Sequence, residues 1–316
     1  MRLVFLGTGE FACPALEALV GAGHEVACAI SQPDRPAGRG RVVRPSFVHA
    51  AADRLGVRHI QTADVNGLDF AEVAGDADIG VVAAFGQKIS RAVLDTLPRG
   101  CVNIHGSLLP KYRGAAPYQW AIIRGERVTG VTVFQLDERW DAGPILGRRE
   151  LPIGETETAA ELHDRLARLG AELIVDTLAG LERGTITPEP QDAAAVTWAP
   201  KLSRAHSRID WSLRAAEVAG WINGLWSWPV ATCVFEDAAG KRQRLGLARA
   251  QAVGDGPPES GIAPGGFLAD GFVQAGRGRV RLLEVRPAGG KLMRFEAFAR
   301  GRSVRPPARL LPLEDA

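Results

Sequence analysis

The sequence predicts an α/β domain with a Rossmann-like parallel sheet, followed by a small OB-like β-barrel domain. Three observations predict it. Through the first half, short apolar runs alternate with segments of helical period, the pattern of a parallel sheet covered on both faces. Around Pro188, Pro190 and Pro200 the periodicity fades, as it does in linkers. Beyond that, one helical segment precedes a run of short strands set off by glycines, which suits a small barrel. The division read from these features is 1–188 for the first domain, 189–208 for the linker and 209–316 for the second.

In chain order, "RLVFLG" is a short apolar strand ending in Gly7, and "PALEALVGAG" has helical period with a glycine stop. "EVACAIS", "IGVVAAF" and "CVNIH" read as further buried strands, separated by helical patterns such as "PSFVHAAADRLG". Pro117 in "AAPYQWAI" suits the first turn of a helix. "VTVFQLD" is another strand, and "ERWDAGPIL" places Asp141 in the turn that follows. Leu162, Leu166, Leu169, Leu173 and Leu178 line one stripe of a long helix that closes the domain. After the linker, "DWSLRAAEVAGWINGL" is a helix, and "VATCVFE", "QRLGLARAQAV", "GFVQAG" and "GRVRLLEVRP" are the strands of the barrel.

The 316-residue length is comfortable for two domains, and 46% hydrophobic with 23% charged residues is ordinary for a soluble chain. No uninterrupted apolar run is long enough to span a bilayer. The N-terminal apolar run stops at Gly7, too soon for a signal peptide. A cytoplasmic protein without a membrane partner is therefore expected. Cys13, Cys28, Cys101 and Cys233 are scattered without CxxC spacing, which fits free thiols in a reducing compartment and argues against a metal.

The net charge of +2 conceals an asymmetry. Residues 1–188 carry 20 basic against 23 acidic side chains, whereas 209–316 carry 15 against 11. Between Gly276 and Arg309, Glu284 and Glu296 are the only acids. A mildly acidic half joined to a basic half suits a protein whose second half meets a polyanion, and equally a solvated basic surface.

Some motifs point away from common chemistries. "GTGEFA" matches the glycine pattern of a dinucleotide turn, but the second strand ends in Ser31, Gln32 and Pro33 where an acid would hold the ribose. A tight strand-to-helix turn is the preferred reading, and no nucleotide cofactor is expected. No HExxH, Walker spacing or GxSxG elbow occurs. His24, His49, His59, His163 and His206 sit in ordinary helix or loop contexts.

The stretch "VNIHGSLLPKYRG" is different. Alternation along a strand sends Cys101, Asn103 and His105 to one face, and Val102 and Ile104 to the other. In open parallel sheets ligands bind at the carboxyl ends of strands, where this strand delivers an amide and an imidazole. With Asp141 they form a set suited to acyl transfer without a covalent intermediate. Amine attack on a carbonyl creates an oxyanion that Asn103 and protonated His105 would stabilise, while a His–carboxylate pair moves the proton. The same residues also suit local backbone satisfaction and a plain turn. Cys101 begins the strand without an activating partner and reads as a small buried residue.

"NIHGSLLPKYRGAAPYQWAI", with the later "DAGPIL", resembles the folate-dependent formyltransferases. "SQPDRPAGRGRVVRPS", "KLSRAHSRIDWSL", Trp228–Pro229 and "VRPAGGKLM" resemble the basic loop, linker and C-terminal domain of the branch that acts on an aminoacylated tRNA. The resemblance implies that 10-formyltetrahydrofolate is the formyl donor and the α-amino group of methionyl initiator tRNA the acceptor. It places the catalytic Asn, His and Asp on Asn103, His105 and Asp141. It assigns folate contacts to Phe85, Gly86, Gln87, Lys88 and Ile89, and to Ser107, Leu108, Leu109 and Pro110. Phe85 stands where relatives carry Tyr, Ser90 where they carry Pro, and Trp140 where they carry a smaller aliphatic residue. For tRNA the resemblance points to Arg35, Arg39, Arg41 and Arg44, with Arg277, Arg279, Arg281, Lys291 and Arg294 extending the contact. A monomer is expected. Relatives acting on an amino sugar nucleotide or a purine precursor share the Asn-His-Asp core, and only the basic loop and basic second domain separate the tRNA reading from them. A hydrolase of the same superfamily would not need those basic features. An RNA-binding module with an inert first domain would explain the charge but not the trio.

Overall fold

The run "RLVFLG" becomes β1 (Arg2–Gly7), buried from Leu3 onward and paired in parallel with β2 (Glu25–Ser31) on one side and β6 (Ile79–Ala83) on the other. Strands that carry apolar side chains on both faces can lie only inside a sheet covered twice. Beyond β2 lies β5 (His59–Gln61), and beyond β6 lies β7 (Cys101–His105), both parallel to their neighbours. The sheet continues through β9 (Val128–Gln135) to β10 (Ile145–Pro152), giving the order β10-β9-β7-β6-β1-β2-β5. β9 runs antiparallel to β7, so the expected parallel sheet carries an antiparallel addition. The alternation of β-branched residues that marks "VTVFQ" as a strand carries no information about direction.

The computed structural model describes residues 1–37, 42–302 and 304–313. It divides into one unit of Met1–Pro117, Thr129–Leu151 and His163–Ala199, and another of Tyr118–Val128, Pro152–Leu162 and Pro200–Ala316. In the first unit the helices are α1 (Cys13–Gly21), α2 (Phe47–Leu55), α3 (Phe70–Ala74) and α4 (Arg91–Leu94). Ser46, Asp69 and Ser90 cap the last three, each side chain accepting a backbone N–H of the first turn. Val4, Leu6, Ile30, Phe70, Val82 and Leu97 pack into one core cluster. Gly80 lies so close to Cys101 that a Cβ there would sit 2.4 Å from its Sγ. Two short pairs stand off the main sheet: β3 (Arg35–Ala37) with β4 (Val42–Arg44), antiparallel, and β8 (Arg113–Gly114) with β11 (Trp198–Ala199), parallel. From β1 the strand order runs outward in opposite directions, and the crevice at such a reversal is where open α/β sheets take ligands.

The predicted leucine stripe lies on a long helix beginning at Ala159 and ending at Glu182, whose residues from His163 onward belong to this unit. Leu166, Leu173 and Leu178 are buried and Leu169 is half-buried. At Gly170 this helix packs directly on β7, where an added Cβ would fall 2.8 Å from Ile104 Cγ2. Ile104 thus faces the helix layer, as the strand alternation predicts. In chain order the helix at Pro117–Ile123 is α5 and this long one is α6.

In the second unit, α7 (Ala215–Gly224) precedes an antiparallel sheet of β12 (Ala231–Glu236), β13 (Arg242–Val253), β14 (Val273–Gln274), β15 (Arg279–Pro287) and β17 (Arg309–Leu311). A short β16 (Met293–Arg294) pairs with β15 and leads into α8 (Phe295–Ala299). Gly266 bridges to Arg309 of β17 and Phe267 to Val273 of β14. One segment therefore ties the two edge strands together, which is how the expected barrel comes close to closing. Phe235, Phe267, Phe295 and Phe298 fill its interior in edge and stacked contacts. Among the described residues no helix is long and apolar enough to cross a membrane.

Candidate active site

β7 delivers Asn103 and His105 to the face opposite α6. Asn103 is half-buried, and among the described residues its amide has no hydrogen-bond partner. His105 is 6% exposed, with the Phe134 ring nearly perpendicular to its own at a centroid separation of 6.5 Å. Its Nε2 lies 2.9 Å from the carbonyl oxygen of Tyr112. A carbonyl only accepts, so Nε2 carries hydrogen and Nδ1 is the nitrogen left to exchange a proton. That Nδ1 faces Asp141 Oδ2 at 3.8 Å. The gap exceeds a direct hydrogen bond and leaves the pair within reach of each other through one bridging atom.

Asp141 sits in the turn after β9, as predicted, with a left-handed φ of 48°. Such backbone persists in a non-glycine residue only where its surroundings hold it. Here Asp141 Oδ2 accepts the backbone N–H of Gly114 at 2.8 Å. Gln191 Nε2 donates to the carbonyl oxygens of Asp141 and Gly143, at 2.9 and 2.8 Å. Burial pulls the Arg113 guanidinium down from its ordinary value, and the neighbouring Asp141 charge opposes this. Gly143 has no room for a side chain, since a Cβ would stand 1.8 Å from Gln135 O. We expect Gly143→Ala to push the Asp141 turn off β9, with a loss of about 1–3 kcal/mol of stability in a thermal melt and a larger proportional loss of turnover.

The Ser107–Pro110 loop is held by hydrogen bonds to Lys111 and to Thr132 of β9. Ser107 Oγ donates to Lys111 O, while Thr132 Oγ1 donates to Ser107 O and accepts from Leu109 N. Ser107 and Leu109 are buried, and Leu108 and Pro110 are half-buried. Cys101 is fully buried and burial pushes its thiol up to about 12, so it is an inert core residue.

The 85–89 segment follows β6, beside the end of β7. Phe85 and Ile89 point into the core cluster, and the Gln87 amide accepts from Val65 N and donates to Thr62 O. Gly86 and Lys88 are the exposed members of the segment. The "GTGEFA" turn spends two backbone donors internally, Thr8 N and Gly9 N both reaching Ala84 O at 3.2 Å. Gly7 is required there, because a Cβ would meet Phe5, Ala12 and Ala83 within 3.0 Å. Among the described residues no group of three or more His, Cys, Asp and Glu side chains is placed to hold a metal ion.

Of the tRNA candidates, Arg39 and Arg41 lie outside the described residues. Arg35 and Arg44 are exposed and stand directly opposite each other across the β3–β4 pair, an arrangement of like charges that costs stability. Asp34 accepts from Ser46 N and contacts the His49 ring, so it anchors the base of this hairpin. On the barrel, Arg277, Arg279 and Arg281 are paired with Asp255, Asp270 and Glu296.

The sequence reading did not single out Tyr112, Gly114, Gln191 or Thr197. Tyr112 and Gly114 act through backbone atoms, which leave no compositional mark. Gln191 and Thr197 fall in the stretch read as linker.

Residues 1–178 match the family described as formyl transferase, and residues 201–303 match its C-terminal domain. The methionyl-tRNA formyltransferase of Heliobacterium modesticaldum is 44% identical over 312 residues, covering 97% of this chain and 98% of that protein. That of Dinoroseobacter shibae is 45% identical over 316 residues, covering 98% and 100%. Among solved structures, HypX from Aquifex aeolicus in complex with tetrahydrofolic acid superposes with a TM-score of 0.60 at 22% identity, covering 95% of this chain. The chain spans about half the length of HypX, 47%. At this identity the likeness speaks to fold alone.

Proposed function

The chain belongs to the formyl transferase family, and we propose that it transfers the formyl group of 10-formyltetrahydrofolate to the α-amino group of methionyl initiator tRNA. The observation that carries this reading is the likeness to methionyl-tRNA formyltransferases at 44–45% identity through both halves of the chain. The reaction is an acyl transfer, and the groups at the end of β7 are suited to it.

In the proposed mechanism the amine attacks the formyl carbon, and the carbonyl electron pair moves onto oxygen. The Asn103 amide and the Nδ1–H of a His105 imidazolium receive that oxyanion. Tyr112 O holds Nε2, so only Nδ1 takes part. Collapse of the tetrahedral intermediate breaks the bond to the folate nitrogen, which takes the Nδ1 proton. Asp141 accepts the proton lost by the amine, through water, and returns it to Nδ1. No formyl-enzyme forms. Gly86, Lys88 and the Ser107–Pro110 loop border the folate, while Phe85, Gln87 and Ile89 support that pocket from the core. Residues 1–188 carry the chemistry and 209–316 the RNA-facing surface, in a cytoplasmic monomer.

The test offers labelled 10-formyltetrahydrofolate with charged initiator methionyl-tRNA, elongator methionyl-tRNA and an amino sugar nucleotide side by side. Labelling confined to the initiator tRNA is expected; labelling of the sugar would overturn the choice of acceptor. The exposed Arg44 gives a second expectation. Arg44→Ala raises KM for the tRNA more than it lowers kcat, and reduces the slope of log affinity against log salt by roughly 0.7–0.9 if one phosphate contact is lost.

A further inference from the structure

Among the described residues, Ala84, Tyr112, Asp141 and Val230 are the residues other than glycine with a left-handed φ. Tyr112 and Asp141 flank His105 from opposite sides, one accepting from Nε2 and the other facing Nδ1. One short segment holds both. Gln191 uses its whole amide there: Nε2 donates to Asp141 O and Gly143 O, and Oε1 accepts from Arg113 Nε and Nη2 at 3.1 and 2.6 Å. Thr197 Oγ1 accepts the N–H of Tyr112 at 2.9 Å, and Thr197 O accepts that of Arg113 at 2.9 Å. The ends of the segment are fixed independently. Glu189 exchanges two backbone hydrogen bonds with Ile145, and Ala199 O accepts from Ala115 and Ala116.

We propose that Gln191 and Thr197 are positioning residues for formyl transfer, setting the His105–Asp141 geometry from both sides. Gln191 holds the turn that carries the carboxylate, and Thr197 holds the peptide that orients the imidazole. Neither residue touches the reacting atoms. An amide suits position 191 because the site needs two donors and an acceptor in one plane. A carboxylate of the same shape keeps the Arg113 contact but offers no hydrogen to the two carbonyls.

This inference rests on the formyl-transfer reading, and its test keeps the two apart. Formyl transfer and thermal unfolding are measured on the full chain for Gln191→Glu, Gln191→Met, Thr197→Val and Thr197→Ser. A small displacement of a catalytic group costs on the order of 10²-fold. Accordingly Gln191→Glu, Gln191→Met and Thr197→Val are each expected to lower kcat by about 10- to 100-fold, with KM for either substrate within about threefold of wild type. Thr197→Ser, which keeps the acceptor, recovers most of the turnover that Thr197→Val loses. A purely structural role would lower the melting temperature and leave kcat per folded molecule unchanged. That result overturns the proposal, as does a rise in KM with kcat preserved. Should the position 191 variants not fold, the Val and Ser pair at 197 decides. A wild-type chain that formylates no methionyl-tRNA would instead remove the functional reading, and this proposal with it.

Discussion

Alanine at position 105 is expected to lower kcat by about 10³- to 10⁴-fold, because in the proposed mechanism one side chain is both an oxyanion donor and the acid for the leaving nitrogen. KM for methionyl-tRNA should move far less, since the imidazole is buried at a strand end and its proposed work falls in the transition state. Asn103→Ala removes only a donor, so about 10²- to 10³-fold is expected. The double variant should cost little more than His105→Ala alone, because groups that act on one oxyanion are not additive. Steady-state kinetics at saturating folate, with a thermal melt on each variant, separates these losses from unfolding. A His105→Ala enzyme within tenfold of wild type would end the assignment of the acid to this residue.

The second large effect is expected at Asp141, where fold and charge can be separated. Asp141 Oδ2 accepts the N–H of Gly114, and an asparagine carbonyl can accept it too. Asp141→Asn should therefore melt close to wild type while turnover falls by about 10²- to 10³-fold, since an amide cannot take the proton that the proposed mechanism assigns to this carboxylate. Asp141→Ala loses the acceptor as well, and should lose stability by about 1–2 kcal/mol beyond the Asn variant. Equal turnover in wild type and Asp141→Asn would show that the carboxylate only ties β8 to the turn.

Much of this site was legible because it rests on strand alternation. The residues of "CVNIH" fall on the faces that a two-residue period gives them, with Ile104 against α6 and Asn103 and His105 on the other side. The turn at Asp141 was legible from its polar, glycine-containing context. Direction was not legible: β9 would have the same composition parallel or antiparallel to β7. Nor was pairing at a distance. Arg277 and Arg279 read as a basic surface until Asp255 and Asp270 come to lie beside them. The 189–199 segment shows the same limit. Its bonds to the 110–116 and 141–145 segments are irregular, made one residue at a time, and leave no period in the sequence. Phe85 and Ile89 show the converse, since the resemblance marks the segment while burial decides which of its side chains face the core.

The contact between Gly80 and Cys101 ties the choice of side chain at one position to that at the other. An added Cβ at position 80 would fall 2.4 Å from Cys101 Sγ and 3.2 Å from Leu97 Cδ1, so the sizes of these side chains are coupled. Gly80→Ala is expected to clash with the thiol at 101 unless that side chain is made smaller or β6 shifts away from the strand that ends in His105. A change at one position therefore calls for a change at the other, and the start of the strand that carries Asn103 and His105 is fixed by a residue outside the proposed chemistry.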